Sequence, residues 1–281
     1  MTIEDQFKTI NKLQNQIRKL EPHPEQWDQE FLEKIKVDFT YASNNLEGNK
    51  ITHGQTIQIL KDFVNPKDAA VSDYLDILNH KKVLDIVFEN YSSEEVTESN
   101  IKKLHRELMK SPSQWGDDVY YDPGKYKIFE NRTYRSDGRE HLYAGPAEVP
   151  LAMTLLIKET NYALKKADSG NIEQHPLTIA TRFHFVFLNH IHPFGDGNGR
   201  IARIFMNLIL LQKGFPPIFI NQVDKKQYLQ CFTQEEKTEG TMLEFMVLQL
   251  IGSLKAKKKY LLEKSEYLDD DSKRNGGEFS R

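Results

Sequence analysis

The hydrophobic residues of this chain recur mostly every three or four positions, the period of helices buried along one side. Ile3, Phe7, Ile10, Leu13, Ile17 and Leu20 make one such stripe, and Pro22 and Pro24 close it. A second helix is expected over residues 25–46, with Trp27, Phe31, Ile35, Phe39 and Leu46 near one face and Gly48 just past its end. Thr52 and Gln55 form a capping box for a short helix reaching about Phe63. Val71, Leu75, Leu78, Val83, Ile86 and Val87 mark a further helix over 68–91, which Ser92 and Ser93 break. Ser99 is expected to cap the next one, through Ile101, Leu104, Leu108 and Met109.

Residues 111–145 lose this period and collect Pro112, Gly116, Pro123, Gly124, Gly138 and Gly145. Two strand-like pieces, Tyr126–Phe129 and Glu140–Tyr143, flank Ser136-Asp137-Gly138, which is a hairpin signal; an irregular surface loop fits the pattern equally well. The helical period then returns. Pro146 is placed at the first position of a helix running to about Ala167, and Pro176 opens another. That second helix, TIATRFHFVFLNHI, is apolar nearly all round and is therefore expected to be buried. Ile201–Lys213 is again strongly apolar and stops at Gly214. Asp224 and Thr241 are read as caps of the last two helices, and the charged stretch from Asp269 to Arg281 as a disordered tail. The fold class predicted is all-α with one small hairpin.

Composition removes several classes of function. A hydrophobic content of 38% and a charged content of 28% are those of a soluble globular protein. A net charge of −3 gives no general attraction to nucleic acid or to a membrane surface. The run Lys255, Lys257, Lys258 and Lys259 reads as the solvated face of the last helix. Cys231 is the single cysteine, so neither an internal disulfide nor a thiolate zinc cluster can form. MTIEDQFKTI carries no cationic or apolar leader pattern, and no apolar run approaches the roughly 18 residues of a membrane span. A cytoplasmic protein is the expectation.

The chemistry concentrates in HPFGDGNGRIAR, residues 192–203. Gly197 and Gly199 permit positive φ and allow main-chain N–H groups to turn inward as an anion nest. The helix that follows adds its free N–H groups and the positive end of its dipole. Arg200 and Arg203 supply fork-shaped donors for phosphate oxygens. Asp196 is a hard oxygen ligand suited to Mg²⁺ shared with those phosphates. His192, at the exit of the buried helix, can accept a proton from a hydroxyl nucleophile. Phe194 anchors the loop in the core. A calcium loop is disfavoured, because Arg200 stands where an acidic ligand belongs and Asn207 where the closing glutamate would be. No Gly-Lys-Ser/Thr follows, so there is no Walker loop. His184 and His190 face different directions and are read as core or helix-end histidines rather than zinc ligands.

HPFGDGNGR, completed by Arg203, resembles the signature loop of the Fic family. The likeness extends over roughly residues 40–250, through the hairpin position, the buried helix before the loop and the Gly-Phe-Pro-Pro segment after it. It implies a Fic-type helical bundle with a small β-hairpin flap: an N-terminal helical region over 1–66, a core domain over 67–252, and the end of the last helix with its tail over 253–281. It also implies a protein adenylyltransferase, moving AMP from ATP to a Ser, Thr or Tyr hydroxyl of a target protein or of itself. In that scheme His192 deprotonates the acceptor and Asp196 holds Mg²⁺. Gly197, Asn198 and Gly199 stabilise charge on the α-phosphate, Arg200 takes the β-phosphate and Arg203 the γ-phosphate. Tyr228 falls where an aromatic lies against adenine. The hairpin becomes a flap that aligns the protein target, with Gly138, Arg139, Glu140 and His141 near the nucleotide.

Ser43-Asn44-Asn45-Leu46-Glu47-Gly48 resembles the family's inhibitory motif. This implies that Glu47 pairs with Arg203, in the place of the γ-phosphate, and suppresses transfer. The stretch Glu235–Thr241 departs from the family's Asn-x-Gly-Asp-like turn, which leaves nucleotide selectivity open. Removal of AMP, transfer of another phosphate-containing group, and a catalytically silent nucleotide-binding regulatory module are the alternatives. A homodimer is left open; no nucleic-acid or membrane partner is expected.

Overall fold

The computed structural model describes residues 2–21, 27–92, 95–110, 122–135 and 137–275, with side chains to residue 267. Pro22, Pro24, Ser93, Pro112, Gly116 and Ser136 therefore lie outside the described residues. Ten α-helices and one two-stranded antiparallel sheet are present among those described. The helices are α1 (Ile3–Leu20), α2 (Gln29–Leu46), α3 (His53–Lys61), α4 (Val71–Glu89) and α5 (Glu98–Leu108), then α6 (Val149–Lys165), α7 (Pro176–Phe185), α8 (Asn198–Gln212), α9 (Lys225–Glu235) and α10 (Thr241–Asn275). The strands are β1 (Arg132–Tyr134) and β2 (Glu140–Leu142).

Helix α8 is the axis of the core. Every residue from Ile201 to Leu211 is buried, so the helix is enclosed on all sides. It packs against α7, with α2, α4 and α5 along other faces. Helix α1 lies along α10 and contributes Phe7, Ile10 and Ile17 to the same core that α8 occupies. A smaller cluster of Val37, Ile51, Ile59, Leu60 and Ile77 fills the space between α2, α3 and α4. These three helices present Glu47, at the end of α2, to the start of α8.

Local chemistry explains most boundaries. Thr52 and Gln55 cap α3 reciprocally, as the sequence implies. Thr2 with Asp5 does the same for α1. Four expectations are corrected. Thr97, not Ser99, caps α5, because its side chain accepts the Asn100 N–H. Pro146 sits in the turn before α6, which starts at Val149 with Pro150 in its first turn. The start of α10 is capped by Glu235, whose carboxylate accepts the N–H groups of Gly240 and Met242, rather than by Thr241. The helix itself continues through Asp269 to Asn275, and residues 276–281 lie outside the described ones.

The hairpin is real but its first strand is Arg132–Tyr134, not Tyr126–Phe129. Tyr134 pairs with Glu140 and Arg132 with Leu142, and Gly138 adopts positive φ in the turn. Tyr126–Phe129 is drawn elsewhere: Tyr126 packs on Phe194, and the Lys127 N–H donates to the Pro193 carbonyl. Tyr126 and Lys127 thus brace the loop after His192 instead of pairing with β2.

His105, His175 and His184 are among the histidines sealed in the fold. Burial holds His105 and His175 down at about 4 and His184 at about 3. Each takes up a proton only on unfolding, so the stability they support is complete above about pH 6.5 and is lost as pH falls toward those values. Each should cost about 2 kcal/mol at pH 5. The urea midpoint should therefore fall sharply between pH 7 and pH 5, where carboxylates contribute little. A flat midpoint over that window would contradict the burial of neutral imidazoles.

Candidate functional site

Helix α7 does not end as a regular helix. Val186–Ile191 widens into a π-turn, and the His192 N–H bonds back to the Phe187 carbonyl. His192 itself adopts φ 47° and ψ 64°, a left-handed conformation that costs energy for a residue with a Cβ. The widened turn rotates its side chain into a cavity of about 460 Å³. The His192 Nδ1 donates to the Leu188 carbonyl at 2.9 Å, which leaves Nε2 as the ring acceptor. Burial holds the imidazole at about 4, against the hydrogen bond to Leu188, so it is neutral at pH 7. Tyr143 stacks on the ring at 4.0 Å between centroids.

Asn198 shapes the loop. Its Oδ1 accepts the Phe194 N–H at 2.9 Å and its Nδ2 donates to the Phe194 carbonyl at 2.8 Å. Both ends of the amide are thus spent on closing the loop, and only its main chain faces a ligand. Phe194 is fully buried and stacks on His105 at 3.7 Å. The His105 Nδ1 accepts the Gly124 N–H, and Nε2 donates to the Asp196 carbonyl. Gly197, at φ 75°, meets the expectation of a positive angle, and a Cβ there would press on Met109. Gly199 does not: it lies in the first turn of α8, and a Cβ there would displace the Glu47 carboxylate, whose Oε1 lies against that position. The first N–H groups of α8 are left without helical acceptors beside the cavity.

Arg203 is 2% exposed and meets the N-terminal half of the chain. Its Nη2 lies 2.5 Å from Glu47 Oε1 and donates to the Ser43 carbonyl, while Nε donates to Ser43 Oγ. Burial would push the Glu47 carboxyl up, but the charges of Arg203 and Arg200 hold it below its usual value. The Glu47 side chain is 40% exposed, and that exposed part lines the cavity with His192, Asp196 and Arg203. Arg200 is buried and pairs with Asp76 of α4 at 3.0 Å, with Asp196 at 3.7 Å on its other side. Burial pushes the Asp76 carboxyl up against the pull of Arg200. Asp196 is exposed, and its Oδ1 accepts the Gly197 N–H.

Tyr228, Leu229, Phe232 and Thr233 of α9 form another wall. The Tyr228 hydroxyl lies 3.0 Å from His184 Nε2, and burial pushes the phenol up to about 12. From the hairpin, the cavity is lined by Thr133, Tyr134, Arg135 and Tyr143; Gly138, Arg139, Glu140 and His141 do not reach it. Arg139 and Arg135 pair with Glu236, and His141 Nε2 donates to the Asn189 carbonyl. The stretch after α9 thus anchors the hairpin. Sequence reasoning missed Asp76, His105, Lys127 and Arg135. All four act across long sequence separations, and no local pattern marks them.

A helical bundle carrying a histidine-led, glycine-rich loop at the N-terminus of its central helix, opposed by a carboxylate from another helix, is a narrow class. Residues 95–210 match the family model described as Fic/DOC family. It is 28% identical over 189 residues to the protein adenylyltransferase Fic of Drosophila grimshawi, covering 67% of this chain and 35% of that protein. It is 29% identical over 196 residues to that of Nematostella vectensis, covering 69% and 42%. The chain thus spans well under half the length of these curated relatives. The crystal structure of a Fic domain containing signaling protein from Bacteroides thetaiotaomicron is 29% identical, with a TM-score of 0.79, and 91% of this chain covers 97% of that one.

The paired hydrogen bonds between Asn198 and the Phe194 main chain should contribute measurably to stability. Asn198→Ala leaves the buried Phe194 N–H unpaired, and should lower unfolding free energy by about 2–3 kcal/mol in urea titrations. A loss below about 0.5 kcal/mol, the size of an ordinary surface substitution, would mean that the loop closes without it.

Proposed function

We propose that this chain is a protein adenylyltransferase that moves AMP from ATP to a hydroxyl of a target protein and of itself, and that Glu47 holds it inactive. The observation that carries the reading is the geometry at residues 192–203: a neutral imidazole with a free Nε2 shares one cavity with the open N-terminus of α8 and a buried guanidinium. The family relatives named as protein adenylyltransferases support it.

The acceptor hydroxyl attacks the α-phosphorus of ATP while His192 Nε2 takes its proton. The bond to the β-phosphate breaks and pyrophosphate leaves. The α8 N–H groups from Asn198 to Arg200 face the charge that grows on the α-phosphate. Arg200 meets the β-phosphate, and Arg203 the γ-phosphate once Glu47 withdraws. The wall around Tyr228 and Phe232 receives the base. The hairpin, through Thr133 and Tyr134 at the cavity edge, presents the acceptor segment.

The residues present also fit Mg²⁺. Among the described residues no cluster of three ligands holds a metal unaided. Asp196 nevertheless offers one exposed carboxylate beside the phosphate site, and Mg²⁺ typically uses one or two carboxylates together with nucleotide phosphates and water. Bound there, the ion would neutralise phosphate charge.

Glu47 acts by competition for Arg203. Three carboxylates, Glu47, Asp76 and Asp196, already surround the two guanidinium groups, so a polyphosphate must displace one of them. Glu47 is the one whose removal frees a guanidinium facing the cavity. Its position in the same cavity as His192 also favours a second reading, in which Glu47 orients water to remove AMP from a modified target.

Incubation with labelled ATP tests the transfer. Glu47→Gly should incorporate AMP into the chain or lysate proteins at least about tenfold faster than the parent, the factor that roughly 1.4 kcal/mol of lost competition supplies. Adding His192→Ala should abolish the label. Equal labelling of parent and Glu47→Gly would remove the inhibitory role, and labelling that survives His192→Ala would remove the base.

A further inference from the structure

We propose that Lys127 is a positioning residue for His192, holding the main chain on both sides of it; this rests on the reading of His192 as the base. The case begins with the carbonyls that the π-turn leaves without helical donors. Leu188 is met by the His192 ring, Asn189 by His141 Nε2 and His190 by the Ala144 N–H. The next two belong to the neighbours of His192, and Lys127 takes both. Its Nζ donates to the Ile191 carbonyl at 3.2 Å, and its main-chain N–H donates to the Pro193 carbonyl at 2.9 Å.

His192 stands between these anchors in a left-handed conformation that its own geometry disfavours. Such a conformation persists only where the surroundings over-determine it. Lys127 is itself fixed. It is 6% exposed, and Nζ also donates to Asn131 Oδ1 at 2.5 Å, while Asn131 Nδ2 donates to the Phe194 carbonyl. The ammonium also lies over the Tyr143 ring that stacks on His192. Lys127 is not among the residues lining the cavity, so it acts on His192 and not on the nucleotide. Its charge adds to burial in keeping the imidazole unprotonated and ready to accept.

Lys127→Met preserves length and apolar stem while deleting the ammonium; Lys127→Arg restores a cationic donor. In the Glu47→Gly chain, Lys127→Met should lower labelled-AMP incorporation at saturating ATP by about ten- to a hundredfold, the scale of a misplaced catalytic group. The half-saturating ATP concentration should stay within about twofold, because ground-state binding is untouched. Lys127→Arg should recover part of the rate. A general packing role would move melting temperature without this split or this rescue. Long-range proton–nitrogen NMR of histidine-labelled chain gives a readout independent of turnover: the parent should show His192 as the Nδ1–H tautomer, and Lys127→Met a mixture. If Lys127→Met melts below the assay temperature, Asn131→Ala, which removes the anchor of the ammonium, should give the same changes in smaller measure. A Lys127→Met rate within about threefold of the Glu47→Gly parent, or an unchanged His192 spectrum, overturns the proposal while leaving the base assignment intact. If Glu47→Gly never labels, the transferase reading fails and the NMR result alone decides the role of Lys127.

Discussion

A guanidinium that is 2% exposed cannot stand without partners, and Arg203 finds most of its own on one helix end, with the Tyr228 hydroxyl of α9 beside it. The Ser43 hydroxyl, the Ser43 carbonyl and the Glu47 carboxylate are its partners there. Burying such a charge is tolerable only when the pairing is nearly complete. The end of α2 is therefore bound to the start of α8 by necessity, and the small core of α2, α3 and α4 exists to hold it there. The same necessity makes the pair replaceable. Any anion that reached Arg203 with comparable geometry would satisfy the guanidinium equally, and the exposed side of Glu47 faces the cavity.

Shape and reactivity are assigned to different residues around the loop. Asn198, His105 and Phe194 are buried and spend their polar atoms on one another or on main chain. They set the path of residues 193–197 and leave the groups that can react, His192 and Asp196, with free atoms toward the cavity. His105 and His192 illustrate the division. Burial holds both neutral, yet His105 uses both ring nitrogens internally and His192 only one. Ionisation state does not separate them; hydrogen-bond accounting does.

What could be read from the sequence follows the range of each interaction. The Thr52–Gln55 capping box, the stripe of α1 and the enclosed apolar run of α8 are local patterns, and they fold as they read. The pairing of Glu47 with Arg203 was legible only through the resemblance of two motifs, since nothing within either segment points to the other. Asp76, on a helix otherwise read as an amphipathic stripe, carries no local mark of its contact with Arg200. Tyr126–Phe129 misled because its composition suggests a strand, whereas Tyr126 packs on Phe194 and Lys127 serves the carbonyls beside His192. Thr241 misled in a related way, since a carboxylate six residues earlier outcompetes a neutral hydroxyl for the free N–H groups of α10.

Gly199 shows why residue type alone underdetermines the reason for a residue. Between two loop residues, glycine suggests backbone freedom, and at Gly197 that is the reason, with φ at 75°. At Gly199 the backbone is helical and any residue could adopt it. What a side chain would meet is the Glu47 carboxylate lying on the Cα, with the Arg203 guanidinium beside it. One face of this glycine is thus occupied by an acid from another helix in the closed arrangement. If Glu47 withdraws, the same face opens at the N-terminus of α8, directly over the N–H groups suited to a phosphate. A methyl group at this position would press on the Glu47 carboxylate. What the glycine supplies here is space rather than torsion, and in the closed arrangement that space holds the Glu47 carboxylate.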